Sequence, residues 1–262
     1  MVKTPYERVK MARGADRPTG ADFIHGMIKD FIEFHGDRRY GDDPAVIGGI
    51  GMLGELPVTV IALERGHTAK ERVARNFGSP HPEGYRKALR LMKQAEKFAR
   101  PVICLIDTSG AYCGQGAEER GQGQAIAENL MEMSTLCVPI VSILIGEGES
   151  GGALALAVAD RVWMLRNAVY SVISPEGCAS ILWKDASKAE GAAESLHLTA
   201  EDARSLGVIE RILSETNLGK ENFYKGLSVL LTEELTALSA DPDLLTKRYD
   251  RFRKIGTQNL KG

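Results

Sequence analysis

Two stretches of the chain share one pattern, and few folds accommodate it twice. Pro101-Val-Ile-Cys-Leu-Ile106 and Pro139-Ile-Val-Ser-Ile-Leu-Ile145 are almost unbroken apolar runs, each followed by a glycine-rich segment and then by a stretch that reads as a helix. A strand with one wet face alternates polar and apolar residues. A short continuous run suits a strand buried on both faces. Strands of that kind, separated by helices, belong to a largely parallel sheet covered by helices, and the fold class is therefore α/β.

The remaining elements fit around this unit. Thr19 is a possible cap, and Phe23, Met27, Ile28, Phe31 and Ile32 recur at helical spacing, so the sequence predicts a helix over 19–34. Residues 45–52 and 57–64 read as a β-hairpin across Leu53-Gly54-Glu55-Leu56, and 66–82 as a long loop. Helices are predicted over 83–100 and 117–136, with an alanine-rich one ending near Ala159. Short strands follow at 162–165, 168–173 and 208–213, with helices at 175–183 and 199–206. Two helices, 219–239 and 242–255, make the tail. Paired strands between helices look like ββα units more than strict βα alternation.

Composition narrows the function classes. The chain has 262 residues, 44% hydrophobic and 26% charged, with a formal net charge of −2. That balance offers neither a nucleic-acid footprint nor a polybasic membrane patch. The cluster Arg86, Lys87, Arg90 and Lys93 reads as a solvated helix face rather than an anion site. No apolar run approaches the roughly 18 residues that a membrane span needs. Met1–Arg17 is polar and basic, unlike a signal peptide. Cys104, Cys113, Cys137 and Cys178 are far apart and make no C-x-x-C pair. They point to free thiols in a reducing cytoplasm and to no metal site, with Cys104 and Cys137 in the core. No histidine pair has metal-ligand spacing. His25 and His35 read as structural or surface residues, and His67 and His81 as solvated loop residues.

Function in open α/β sheets gathers where chain leaves the carboxyl ends of strands. Two glycine turns lie there, Asp107 to Gly116 and Gly146 to Gly152. Glycine permits positive φ and close approach of backbone to a ligand. The first N–H groups of a following helix lack internal partners. Two neighbouring turns could therefore aim several amides at one developing oxyanion. The candidates are Gly110, Ala111, Gly151 and Gly152, with Ala153 a near alternative and Tyr112 beside them.

Other readings remain open on the residues alone. Gly148-Glu149-Ser150-Gly151-Gly152 matches the G-x-S-x-G nucleophile elbow, which suggests a serine hydrolase. Its downstream histidine would be His197, with Asp160 or Asp185 as the acid. The tail, with Leu227, Val229, Leu230, Leu235 and Leu238 at helical spacing, allows a non-catalytic scaffold subunit. Glu118 and Glu119 suit the start of a helix through its dipole, or with Arg120 could shape a pocket. Lys70, Arg72 and Arg75 could meet phosphates or only solvent.

Several long segments together resemble one family. They are Asn76 to Met92, Ile106 to Tyr112 with Gly116 to Gly121, Gly146 to Ala155, and Tyr170 to Lys184. They are similar to the bacterial acetyl-CoA carboxylase carboxyltransferase alpha subunit, over about residues 19–213. The chain departs from the family pattern at Ser109 and Cys113, where proline is common, and at Glu149, where glycine is usual.

The resemblance implies a crotonase-like (ClpP/crotonase) ββα superhelix. It implies a core over 45–214, with helical extensions at 1–44 and, for assembly, at 215–262. It implies transfer of a carboxyl group from carboxybiotin on the biotin carboxyl carrier protein to acetyl-CoA, giving malonyl-CoA for fatty acid synthesis. The expected partners are a carboxyltransferase beta subunit, which would carry the zinc, in an α2β2 heterotetramer, and a biotin carboxylase that uses ATP. The carboxybiotin-side oxyanion hole then falls to Gly110-Ala111 and Gly151-Gly152, with Tyr112 and Ala153 completing the cofactor pocket. Ser150 serves the turn.

Overall fold

The computed structural model describes residues 3–257. Its first helix, α1 (Pro5–Ala12), is closed by a capping box, in which Thr4 Oγ1 accepts from the Glu7 N–H and Glu7 accepts from the Thr4 N–H. The helix predicted from Thr19 is half the expected length. α2 (Gly20–Met27) stops at Ile28, whose φ of −107° and ψ of 119° are extended, and Lys29–Glu33 forms strand β1 against β2 (Val46–Leu53). Gly49 and Gly51 explain the switch. A Cβ at Gly49 would strike Ile32 O, and one at Gly51 would meet Lys29 O at 2.9 Å. The glycine-rich face of β2 admits a strand that closely, and pairing overrides the helical periodicity of Phe31 and Ile32.

β2 and β3 (Leu56–Leu63) form the expected hairpin, closed by Gly54-Glu55 with Gly54 at φ +60°. The predicted loop after it is not structureless. Thr68 and Glu71 make a capping box that starts α3 (Ala69–Ala74), and a 3-10 turn spans Asn76–Gly78. Then come α4 (Pro82–Lys97), β4 (Val102–Thr108), α5 (Gln115–Glu119) and α6 (Gln122–Thr135). The single helix expected over 117–136 is two, because Gly121 adopts φ +82° between them.

β5 (Ile140–Glu149) runs straight through the first half of the second glycine turn, and α7 (Ser150–Leu154) is only five residues long, ending well short of Ala159. β6 (Arg161–Leu165), β7 (Val169–Ser171), α8 (Pro175–Trp183), α9 (Ala189–Ser195), α10 (Ala200–Ser205) and β8 (Arg211–Leu213) follow. α11 (Glu221–Ser239) and α12 (Leu244–Lys254) end the described chain. The sequence reading had no element for α1 or α9.

Among the described residues the sheet has eight strands in the order β1-β2-β3-β4-β5-β6-β8, with β7 paired to the far end of β5. β1 to β3 are antiparallel, and from β3 onward every pairing is parallel. β4 and β5 lie in the middle and are buried at every position, as their unbroken apolar runs require. Cys104 is buried within β4, whereas Cys137, expected in the core, is exposed in the turn before β5.

The tail packs onto this core. Tyr224, Leu227, Leu231 and Leu235 of α11 are buried in the main apolar cluster. Arg248 of α12 is 1% exposed and donates to Asp160 at 2.8 and 2.7 Å, and to the carbonyls of Met133, Leu136 and Val138. A buried guanidinium is tolerable only when satisfied in this way.

Candidate active site

β4 and β5 end side by side, with Thr108 in register with Gly148, so the chain leaves the sheet twice at the same edge. After β4, Gly110 takes φ +122°. Its N–H donates to Thr108 Oγ1 at 3.0 Å, and that hydroxyl donates to Gly110 O at 2.9 Å. The Tyr112 N–H goes to Pro80 O at 3.0 Å. Between these two committed amides, the Ala111 N–H meets no acceptor among the described residues. Buried or half-buried amides are rarely left so.

After β5, Ser150 takes a left-handed φ of +56°, and Gly151 and Gly152 open α7. A Cβ on Gly152 would lie 2.5 Å from Ala111 N and 2.8 Å from Gly110 C, so the two turns touch backbone to backbone. Gly151 has open space, with Ile126 Cγ2 no nearer than 3.7 Å. The Tyr85 hydroxyl, fully buried, donates to Gly152 O at 3.2 Å and fixes the second turn from below. The first amides of α7 have no acceptor within the helix. Five residues make a weak dipole, so the capacity for an anion rests on the donors themselves.

The structure brings Gly110, Ala111, Gly151 and Gly152 together. Ala153 is buried, with its methyl in the main apolar cluster. Tyr112 is 40% exposed and stacks on His81, with ring centroids 4.1 Å apart. His81 is therefore no loose loop residue. Arg120 Nη2 approaches its Nδ1 at 3.1 Å and pairs with Glu83 at 2.9 Å. Gln122 ties the same loop by donating to the carbonyls of Pro80 and Tyr112, both at 2.8 Å. A cavity of about 330 Å³ opens beside the second turn, lined by Ser150, Gly151, Leu154, Tyr170 and Val172.

Beneath the turns lies a charged floor that sequence reasoning missed. Asp107 is fully buried at the end of β4. Its Oδ1 accepts from the Glu147 N–H at 2.9 Å, and Arg65 Nε lies 3.1 Å from Oδ2. Burial pushes its pKa up to about 6 against the pull of Arg65. Arg65 also donates to Ala12 O and Gly14 O, both at 3.1 Å. Arg13 meets Glu147 at 2.6 Å, Glu176 at 2.8 Å and Glu149 at 3.8 Å. One guanidinium cannot neutralise three carboxylates. Burial first, and then Glu147, push Glu149 up to about 8, with Arg13 opposing. The signal was present, since an acid beside glycines after an apolar strand is unusual, but its partner Arg13 is distant in sequence.

Other expected roles do not converge on the turns. The hydrogen bonds of Arg72 and Arg75 are to Gly66 O and Pro44 O. Lys87 is fully buried and bonded to Asp42 Oδ1 at 2.6 Å, so the helix face it was assigned to is not simply solvated. The positive φ of Ser150 suits a nucleophile elbow, but no histidine among the described residues bonds it. His197, the expected base, lies against Asp202 at 3.7 Å.

The comparisons bear on all of this. Residues 2–256 match the family described as acetyl co-enzyme A carboxylase carboxyltransferase-like. The chain is 61% identical to the acetyl-coenzyme A carboxylase carboxyl transferase subunit alpha of Ruminiclostridium cellulolyticum, over 96% of this chain and 97% of that protein. It is 55% identical to the subunits beta/alpha protein of Natranaerobius thermophilus, where 97% of this chain matches 43% of that one. Among solved structures it superposes on transcarboxylase 12S with a TM-score of 0.70 at 17% identity, over 87% of this chain. It spans 44% of the transcarboxylase chain. That likeness agrees with the crotonase-like α/β fold expected from the sequence. Among the described residues no helix is long and apolar enough to cross a membrane.

Proposed function

The chain belongs to the acetyl-coenzyme A carboxylase carboxyltransferase family, as its alpha subunit, and from that premise we propose how its two turns serve the reaction. The activity is transfer of a carboxyl group to acetyl-CoA, giving malonyl-CoA. Carboxybiotin, delivered on a biotin carboxyl carrier protein, supplies the activated carboxyl group. The partners are a beta subunit that carries the zinc and the acetyl-CoA side, in an α2β2 assembly, and a biotin carboxylase that spends the ATP. Relatives that carry beta and alpha in one polypeptide support the pairing.

The observation that carries the assignment is the free Ala111 N–H in contact with the second turn. A ureido oxygen that gains negative charge as carboxyl departs needs preorganised donors that pay no reorganisation at that moment. Ala111 supplies one, and the Gly151 and Gly152 amides supply others. Gly110 acts differently from its neighbours. Its N–H is spent on Thr108, and its role is to hold the φ that turns Ala111 outward. Tyr112, braced by His81, forms the rim of the cofactor pocket, and Ala153 anchors α7 in the core. Ser150 shapes the turn and takes no part as a nucleophile.

The test is co-expression with the zinc-bearing subunit and a malonyl-CoA/biocytin exchange assay. Replacing the Ala111 peptide N–H by an ester oxygen deletes a single donor. A loss of roughly 100- to 1000-fold in kcat is expected for an oxyanion donor. An ester variant with unchanged kcat would remove Ala111 from the mechanism.

A further inference from the structure

A second site is built along α4 beside the pocket rim, where Arg120 lies over the Tyr40 ring, 4.5 Å from its centroid. The loop from Gly36 to Gly41 is locked by Asp37, whose buried Oδ1 accepts the N–H groups of Arg39, Tyr40 and Gly41 at 2.9, 2.7 and 3.0 Å. Arg86 of α4 grips the other oxygen at 2.7 Å. Despite its burial, these hydrogen bonds hold the Asp37 carboxyl down to about 2, so it is ionised and fully engaged. The loop forces Arg38 into a left-handed φ of +68°.

Arg38 and Arg90 then meet on one oxygen. Arg38 Nη1 donates to His35 O at 2.8 Å, and Arg90 Nη2 donates to the same carbonyl at 3.3 Å. Neither guanidinium has a carboxylate within ion-pair distance among the described residues. The nearby Asp42 is engaged with Lys87, His35 and the Gly36 N–H. Two like charges sharing a neutral acceptor repel unless an anion lies between them. Burial, and then Arg38, hold Arg90 below the ordinary arginine value.

These groups face a cavity of about 330 Å³, lined by the cations Arg38, Arg39, Arg86, Arg90 and Lys93. The acids there are Asp37, already satisfied, and Glu128, 3.6 Å from Arg39. We propose that this cavity binds a phosphoryl anion carrying two or more charges, held by the guanidinium N–H groups of Arg38 and Arg90 that their bonds to the His35 and Gly36 carbonyls leave free. Guanidinium groups match phosphate oxygens in a bidentate manner. The sources with this chemistry are free pyrophosphate or a nucleotide on one side, and the phosphates of a coenzyme A molecule on the other.

The full chain, titrated with inorganic pyrophosphate by calorimetry, tests the site without any need for transfer activity. Saturable binding is expected, at least tenfold weaker in the Arg38→Gln, Arg90→Gln double variant and weaker as salt rises. Glu128→Gln, which removes the facing acid, should tighten binding, an opposite change that misfolding would not produce. Displacement of pyrophosphate by coenzyme A would make the substrate the source, and displacement by ADP alone would make it a free nucleotide. No saturable binding by the wild-type chain, or equal affinity in the double variant, overturns the proposal.

Discussion

Gly152 stands so close to Ala111 that a single added methyl carbon would sit 2.5 Å from the Ala111 nitrogen. Gly151, its neighbour, has no atom within 3.7 Å of the same position. The two glycines are adjacent in sequence and unequal in space. Gly152→Ala should therefore separate the turns and lower exchange by 100-fold or more, the scale of one lost oxyanion donor. Gly151→Ala should stay within a few-fold of the parent. Equal losses in the two variants would show that the contact between the turns does not matter.

Glu149 links stability to pH. Its pKa is near 4.5 in an unfolded chain and about 8 in the folded one, so the native state keeps a proton that the unfolded state has lost. The stabilising contribution is complete below about 4.5 and disappears as pH climbs through about 8. Glu149→Gln cannot lose that proton. Its Tm relative to the parent should rise steadily from pH 5 to 8 and level off above. A Tm difference that is constant over pH 5 to 9 would mean that Glu149 is ionised throughout.

Asp107 and Arg65 are a buried pair whose separate members have no substitute. Asp107→Ala strands the guanidinium and frees the Glu147 N–H. Chemical denaturation should show a loss of about 3 to 5 kcal/mol, typical for one partner removed from a buried pair. Asp107→Asn, which keeps an acceptor for Glu147, should lose less. An alanine variant as stable as the parent would contradict the burial of the pair.

Ser150 has the left-handed backbone of a nucleophile elbow but no histidine bonded to it. Ser150→Ala should keep the exchange rate within a few-fold, and a fluorophosphonate should leave the isolated chain unlabelled. Strong labelling at Ser150 with esterase activity would restore the hydrolase reading.

The sheet was legible because β4 and β5 carry unbroken apolar runs, a pattern set by burial on both faces. The two turns were legible because glycine clusters mark where backbone must bend. Other features were hidden in the chain's long-range geometry. The strand Lys29–Glu33 has a helical period and becomes extended only because Gly49 and Gly51, some twenty residues away, leave room for it. The commitment of the Gly110 amide depends on where the Thr108 hydroxyl points. The floor of arginines depends on Arg13 and Arg65 reaching acids that lie 42 to 163 positions along the chain. No periodicity or spacing reports such pairings.

Residues 12 to 17 fasten the segment after α1 to the rest of the chain. Arg65 holds the carbonyls of Ala12 and Gly14, Arg13 holds Glu147, and Arg17 donates to Ile145 O at 2.6 Å. The segment that follows α1 is thus moored directly against β5, three to five residues before Ser150. A pull on α1 would therefore be felt first by the strand from which the second turn departs.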